Sequence, residues 1–589
     1  MQFPSLSAFI RYLESIGEVR RIKAEVDPYL EVTEIAVRAL RENKPVLFFE
    51  NVKGSRFPLV INVYGSERRI EHALGKHPAQ IGEDLFRFVD GLTPPALGPL
   101  WERRGTFRRL LTARGRSVTA AESQRVVLQP DLDALPIQTC WPEDGGRFVT
   151  LGQVITYDPV NARRNVGIYR LHVYDSATTG MHWQIQKGGG FHYQHAEQLG
   201  QDLEVAVALG TEPALLLASV AALPEGMDEV AFAAFLRGGS IGITKGKSIS
   251  IRVPAQAEFI FEGVVPRNER RKEGPFGDHF GHYSHSAPFP VFHIKTMTHR
   301  RNPVYPATVV GIPPMEDKFL GDATQQILGP LSRVLHSEIR DVWAYYEGGF
   351  HNLLVVSVDA RYKKEAMKTA LGLLGTGQLS LTKCMVLVSA GVDVRDWSAV
   401  LGEIRNHFDP YYDFVLLPKV PMDTLDFTSY KTEIGSRMIL DATRKERAAA
   451  PKTKTAGKAR VSDIRAMDRR ILDAAIADNC FLTVKVAGKG RAVVEKLVKR
   501  KDLQHLKVIA AVSEDVDIRD RENSIWGVFT RFDCELDVMF TEQSLRGIAP
   551  VYKGVMGIDS TWKEGYPKPL SMPDDIVKKV DRRWNEYWS

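Results

Sequence analysis

Two carboxylates, Glu273 and Asp278, bracket the turn Gly274-Pro275-Phe276-Gly277. The glycines let the backbone fold back and bring both acids to one pocket, where like charges push one pKa upward and leave one proton donor beside one ionised partner. A surface turn with acidic ends accounts for these residues equally well until Arg170 is set beside them. A buried arginine there would complete a charge network and could hold a substrate carboxylate in bidentate fashion. Arg170 lies in the run Asn165 to Gly190, which also carries Asn165, His172, His182, Gln184 and Lys187 and closes on Gly188-Gly189-Gly190. Donors of this density suit a phosphate or a carboxylate. Taken alone, the run reads more simply as a solvent-facing hairpin, because exposed strand faces are polar by default. Glu229 follows Asp228 at the start of a helical pattern, where acids ordinarily offset the helix dipole. Together with Asn165 it could instead give hard oxygen ligands to a divalent ion that bridges to a phosphate.

Other motifs carry less. Gly242-Ile-Thr-Lys-Gly246-Lys247-Ser248 is one residue short of a phosphate-binding P-loop and leads into a strand pattern, so it is read as a turn. His279, His282 and His285 stand at intervals of three, but neither a strand nor a loop need converge them, and a dedicated zinc site is not expected. The cysteines, Cys140, Cys384, Cys480 and Cys534, have no short pair spacing and read as core thiols.

These residues need a scaffold, and 589 residues at about 150 per domain suggest roughly four units. The composition, 44% hydrophobic and 25% charged, is that of a soluble protein, and no apolar run approaches the roughly 20 residues of a membrane-spanning helix. The opening Met1-Gln-Phe-Pro-Ser5 has no basic start followed by an apolar run, so no secretory signal is expected and a cytoplasmic location is. A formal charge of +6 permits anionic substrates without implying nucleic acid.

Residues 1–125 alternate helix and strand: the stripe Leu6, Phe9, Ile10, Leu13 behind Ser5 as N-cap, a strand from Glu18, a helix from Glu31 to Glu42 and a strand Pro45-Val-Leu-Phe-Phe49, with Gly91 to Gly105 as loop. Residues 126–320 change to short β runs, Leu151 to Asp158, Asn165 to Tyr174, Leu215 to Val220, Ser248 to Val253 and Glu258 to Val265, with a helix over Asp228 to Arg237. A β-barrel or sandwich core with inserted helices is expected. Residues 321–443 return to alternation, with helices over Ala323 to Ile339, Lys363 to Leu374 and Ser398 to Phe408 and strands over Leu353 to Val358 and Met385 to Val388, as βαβ units produce.

The rest repeats that third domain. Val388-Ser-Ala-Gly-Val-Asp-Val-Arg-Asp396 reappears as Val512-Ser-Glu-Asp-Val-Asp-Ile-Arg-Asp520, and Phe408-Asp409 and Asp413 return at the same offset as Phe532-Asp533 and Asp537. Tyr430-Lys431 and Asp441-Ala-Thr443 are echoed by Tyr552-Lys553 and Asp559-Ser-Thr561. Residues 463–589 are therefore expected to be a duplicated α/β domain with a C-terminal tail, joined through a basic linker at 444–462. The fold class is α/β, α+β overall.

Taken together, Asn165-Val-Gly-Ile-Tyr-Arg170, Met181-His-Trp-Gln-Ile-Gln-Lys187, Glu229, Pro254-Ala-Gln-Ala-Glu258 with Glu262-Gly263, and Glu273-Gly-Pro-Phe-Gly-Asp278-His resemble the UbiD family of reversible decarboxylases, over about residues 1 to 443. The tail Val580-Asp-Arg-Arg-Trp-Asn-Glu-Tyr587 is similar as well. The resemblance implies a split β-barrel that binds prenylated FMN through a divalent metal, Mn or Mg, in many relatives with K. By matching position it places Asn165 and Glu229 on the metal and phosphate, lines the cofactor with Ile168, Tyr169, Arg170, His182, Trp183, Gln184, Lys187 and Gly188, and assigns Arg170, Glu273 and Asp278 to catalysis. Many relatives carry a metal-binding His where this chain has Gln186.

Loss of carbon dioxide leaves carbanion character that side chains cannot delocalise, so a cofactor must serve as electron sink. Asp278 is the residue expected to return a proton to the same carbon, with Glu273 and Arg170 setting the proton inventory. The implied substrate is a small aromatic carboxylic acid, and the implied partners are a flavin prenyltransferase as cofactor supplier and further copies of the chain in a homodimer or larger homo-oligomer. Leu47-Phe-Phe-Glu-Asn51, Trp141-Pro-Glu-Asp-Gly-Gly146 and Met181-His-Trp-Gln-Ile185 are most similar to the menaquinone branch, whose substrates are bicyclic aromatic acids. The alternatives are another aromatic or α,β-unsaturated acid, such as a ubiquinone precursor or a catabolic substrate, and a flavin-binding scaffold without chemistry.

Overall fold

The computed structural model describes residues 3–91, 113–184, 187–224, 226–429, 431, 433–445 and 461–588. Most of the Gly91 to Gly105 loop, Gln186, Tyr430 and most of the basic linker lie outside the described residues. The chain forms two compact units, Met1–Leu328 with Lys568–Ser589, and Gly329–Pro567.

In the first unit, Ser5 caps the helix Leu6–Ser15 by accepting from the Ala8 amide, and the stripe Leu6, Phe9, Ile10, Leu13 is buried as its spacing predicts. A four-stranded sheet follows in the order Val19–Ile22, Val46–Phe49, Leu59–Ile61, Tyr305–Pro306. The central sheet is antiparallel and eight-stranded, with the path Thr178–Gly180, Ala287–His299, Phe259–Val265, Leu203–Leu209, Gln153–Tyr157, Arg164–Ile168. Arg270–Glu273 and Val126–Leu128 both pair with Ala287–His299. Among the described residues no pairing joins the two ends of this path into a closed barrel.

Several expectations change, among them the strand over Ser248 to Val253, of which only the short strand Arg252–Pro254 forms. Leu215 to Val220 is not a strand but lies in the helix Pro213–Val220, buried along almost its whole length. A short, uniformly apolar run carries no periodicity to separate the two, and Pro213 in the first turn favours the helix. The run from Asn165 does not close as a hairpin on its glycines either. After Thr178–Gly180 the chain passes irregularly through Met181 to Gln184, and Gly188-Gly189-Gly190 open the helix Gly188–Gln198.

The second unit contains two five-stranded sheets of one topology. Ile339–Ala344, Leu353–Val358, Cys384–Ser389, Ile434–Asp441 and Phe414–Pro421 are joined antiparallel, parallel, parallel and antiparallel. Ile471–Ala477, Phe481–Val486, Val508–Val512, Ala549–Ser560 and Val538–Arg546 repeat that order and polarity. Local detail repeats too: the Thr443 and Thr561 hydroxyls each donate to the aspartate two residues before them at 2.6 Å. The helix expected over Ala323 to Ile339 is instead the helix Glu316–Leu328, which belongs to the first unit, a short helix Ser332–Leu335 and the strand Ile339–Ala344. The tail, grouped with the second copy on sequence, returns to the first unit from Lys568 onward.

Candidate active site

Arg170 leaves the strand Arg164–Ile168 and is buried between the two acids singled out above. Its Nε donates to Glu273 Oε1 at 2.7 Å and one Nη to Glu273 Oε2 at 3.0 Å, the fork geometry that suits a carboxylate. Its other Nη donates to Asp278 Oδ2 at 2.5 Å, and the Ser284 hydroxyl accepts a further bond at 2.9 Å. The guanidinium also lies 4.7 Å from the Phe276 ring centroid. Glu273 ends the strand Arg270–Glu273, and Gly274 takes the left-handed φ of +83° that turns the chain back toward Asp278.

The expected split into one protonated and one ionised acid does not occur. Glu273 is held down at about 2 although burial opposes this, because Arg170 and His182 face it. Asp278 is likewise held well below the usual carboxylate range, against its burial, by His279 and Arg170. One cation between two carboxylates removes the like-charge repulsion on which the expectation rested. The His182 Nδ1–H donates to Glu273 Oε2 at 3.2 Å, and the His182 pKa is lowered by burial and by Arg170, which favours the neutral ring.

Asp144, which carried no role on sequence, holds this loop in place. Its Oδ1 accepts from the Gly277 amide at 2.7 Å, and its Oδ2 accepts from the Trp141 and Cys140 amides at 2.8 and 3.0 Å. Gly145 packs so close that an added Cβ would lie 2.4 Å from the Gly274 carbonyl oxygen. An Asp in a Gly-rich turn gives no sequence signal for such a contact.

The second part of the site starts one residue beyond His182. Three buried polar atoms here have no hydrogen-bond partner: Trp183 Nε1, His182 Nε2 and Asn165 Nδ2. Glu229 opens the helix Glu229–Arg237 behind Asp228, which caps it and pairs with Arg164 at 2.5 Å. Glu229 accepts from the Val166 amide at 3.0 Å, and burial pushes its carboxyl up to about 7. Gly188 and Gly189 admit no side chain: a Cβ on the first would lie 2.2 Å from Asn165 Oδ1, and on the second 2.6 Å from Trp183 Nε1. The Tyr169 hydroxyl accepts from the Gly189 amide at 3.2 Å. The helix Gly188–Gln198 has neither a side-chain cap nor an acid in its first turn, so its N-terminus can face an anion. Ile168, Gln184 and Lys187 are half-buried along the same stretch.

These features fit a phosphate-bearing aromatic cofactor, with orphaned donors, a glycine cradle and a helix N-terminus on one side. Asn165 and Glu229 offer two oxygens for a hard cation. Among the described residues no cluster of three His, Cys, Asp or Glu could hold a metal alone, so an ion here would draw its other ligands from phosphate and water. The other motifs lie elsewhere. The amides of Lys247 and Ser248 donate to Glu262 at 3.0 and 2.7 Å, so that turn cradles an internal carboxylate. His279 Nδ1 meets Asp278 Oδ1 at 2.7 Å, whereas His282 Nδ1 meets the Phe280 carbonyl at 2.9 Å.

Three family profiles match in chain order: the N-terminal domain of 3-octaprenyl-4-hydroxybenzoate carboxy-lyase over residues 10–89, its Rift-related domain over 116–313 and its C-terminal domain over 318–442. A Chlamydia pneumoniae protein named as a component of 4-hydroxybenzoate decarboxylase is 34% identical over 99% of this chain and 98% of its own length. Among solved structures, the UbiD-class enzyme HmfF from Pelotomaculum thermopropionicum, in complex with FMN, is 27% identical with a TM-score of 0.61 over 76% of this chain and 97% of its own. The vanillic acid decarboxylase of Sedimentibacter hydroxybenzoicus shares the fold with a TM-score of 0.67 at 24% identity, over 77% of this chain and 97% of its own. With Arg170, Glu273 and Asp278 gathered beside a cradle of donors, these matches place the chain in the UbiD family of decarboxylases, as a carboxy-lyase.

Proposed function

We propose that the protein is a prenylated-FMN-dependent, reversible decarboxylase of an aromatic carboxylic acid, with Arg170, Glu273 and Asp278 as its catalytic set. The observation that carries this reading is the pairing of a buried arginine with two carboxylates immediately beside buried donors that lack partners. Asn165 and Glu229 would hold Mn or Mg, with K as a further ion. Ile168, Tyr169, His182, Trp183, Gln184, Lys187 and Gly188 would line the cofactor, whose contribution is the electron sink for the carbanion left by carbon dioxide.

The chain's own residues then have defined tasks. Arg170, oriented by Glu273, presents its remaining face to the substrate carboxylate. Bringing a third negative charge beside Arg170 weakens its hold on Asp278 and raises that acid's affinity for a proton. Asp278 thus takes up a proton as substrate binds and delivers it to the carbon that loses carbon dioxide; water restores it through the half-buried His279 on Asp278 Oδ1. His182, kept neutral, fixes Glu273 without competing with Arg170 for it.

For the substrate we favour a bicyclic aromatic acid of menaquinone biosynthesis, on the likeness at Leu47–Asn51 and Trp141–Gly146. The name of the chlamydial relative supports 4-hydroxybenzoate as the rival. A flavin prenyltransferase would supply the cofactor, and the protein would work as a homodimer or larger homo-oligomer in the cytoplasm. The test is carbon dioxide release from a panel of monocyclic and bicyclic aromatic acids, in D2O, by protein produced alongside a flavin prenyltransferase. One deuterium at the departing carbon of a bicyclic product is expected; release from monocyclic acids alone would overturn the substrate assignment.

A further inference from the structure

We propose that the C-terminal segment Lys568–Trp588 is a positioning element for Asp278, clamping the acid-bearing loop from outside. The loop is a narrow hairpin in which Gly277 bridges Tyr283, the Asp278 amide donates to the His282 carbonyl at 3.0 Å and the Ser284 amide to the Phe276 carbonyl at 2.8 Å. The tail lies along it as a third strand: Pro569 bridges His282, the Leu570 amide donates to the Gly281 carbonyl at 2.9 Å, and the Tyr283 amide donates to the Lys568 carbonyl at 3.3 Å. Lys568 Nζ pairs with Glu143 at 2.7 Å, next to the Asp144 that grips the Gly277 amide.

Side-chain packing makes the contact directional. Gly277 is wedged between Trp141 and Leu570: a Cβ there would lie 2.2 Å from Trp141 Cδ1 and 2.8 Å from Leu570 Cδ2. Leu570 is buried, so the residue before Asp278 has no room to shift toward the tail. The tail itself is pinned at a distance. In the helix Asp574–Trp588, Lys579, Arg583 and Tyr587 converge on the buried Glu31 at 2.8, 2.5 and 2.9 Å. Because Asp278 delivers its proton only from within hydrogen-bond reach, a loop free to move by about 1 Å would lower turnover by up to about a hundredfold without changing what binds.

The rate readout rests on the decarboxylase reading; the structural readout, amide hydrogen exchange by mass spectrometry on the full-length holoprotein, does not. In Leu570→Ala, exchange over 276–284 should quicken, and carbon dioxide release per holoenzyme should fall, each by at least about tenfold, with KM and cofactor content unchanged. Leu570→Met, which conserves volume, should restore both. If Leu570→Ala does not fold, Glu31→Gln, which leaves the wedge intact but loosens its anchor, must give the same two changes. Unchanged exchange in the loop, or a freed loop with undiminished turnover, would overturn the clamp. Wild-type protein that carries cofactor but releases carbon dioxide from no aromatic acid would count against the decarboxylase reading, and the exchange result would still decide whether the tail holds the loop.

Discussion

The two halves of the site meet at His182 and Trp183 and differ in how their polar groups are satisfied. Around Arg170 the guanidinium donates to Glu273, Asp278 and Ser284; Arg170 with His182 holds Glu273 ionised, and His279 with Arg170 holds Asp278 ionised. Around Asn165 and Glu229 the reverse holds: buried donors lack partners, and burial pushes the Glu229 carboxyl up to about 7 against the Val166 amide and Arg164, which oppose the shift. A buried network that closes on itself keeps its geometry before any ligand arrives, whereas one left open is stabilised only when something fills it. Under the proposed function the first half serves chemistry and the second retention, so substitutions in each should separate rate from occupancy.

The largest separation is expected from Asp278→Asn, which removes the transferable proton while keeping the shape. Turnover should drop by about 10²- to 10⁴-fold with cofactor content unchanged, as single-turnover carbon dioxide release beside the flavin spectrum will show. Undiminished turnover would remove Asp278 from the chemistry. Arg170→Ala should next cost about 3–5 kcal/mol of stability in denaturant melts, because it strands two buried acids without their cation. A loss below about 1 kcal/mol would mean that the acids are not held as described.

Glu229→Gln should leave the acid pocket intact and weaken retention of metal and cofactor by at least about tenfold, read by metal analysis and flavin absorbance after gel filtration. The smallest effect is one of pH. Glu273 has its folded pKa at about 2, below its ordinary 4.5, so the stability it contributes is complete above about pH 4.5 and is lost as pH falls toward about 2. Glu273→Gln should flatten that part of the stability curve, and an unchanged slope would assign the acid sensitivity to other carboxylates.

The convergence of Arg170 with its two acids is legible in the sequence because the residue types are chemically rare together: an arginine in a β run and two acids around a Gly-Pro-Phe-Gly turn. Their protonation is not, since it depends on Arg170 reaching both acids, which separation along the chain does not state. The repeat is legible for a different reason. Its registered residues are structural pins, with Asp413 and Asp537 each accepting from the amide four residues earlier, at 3.0 and 2.9 Å. The helix behind Gly188 is hidden because three glycines weaken every helix signal. The tail is hidden because sequence adjacency to the second copy says nothing of the buried Glu31 to which it returns.

The most direct measurement is mass spectrometry of the small molecule extracted from protein produced alongside a flavin prenyltransferase, for wild type and Glu229→Gln in parallel. Wild type should yield prenylated FMN near one per chain and the variant much less. Repeated recovery of wild-type protein without any flavin, or equal occupancy in the two proteins, would contradict the account.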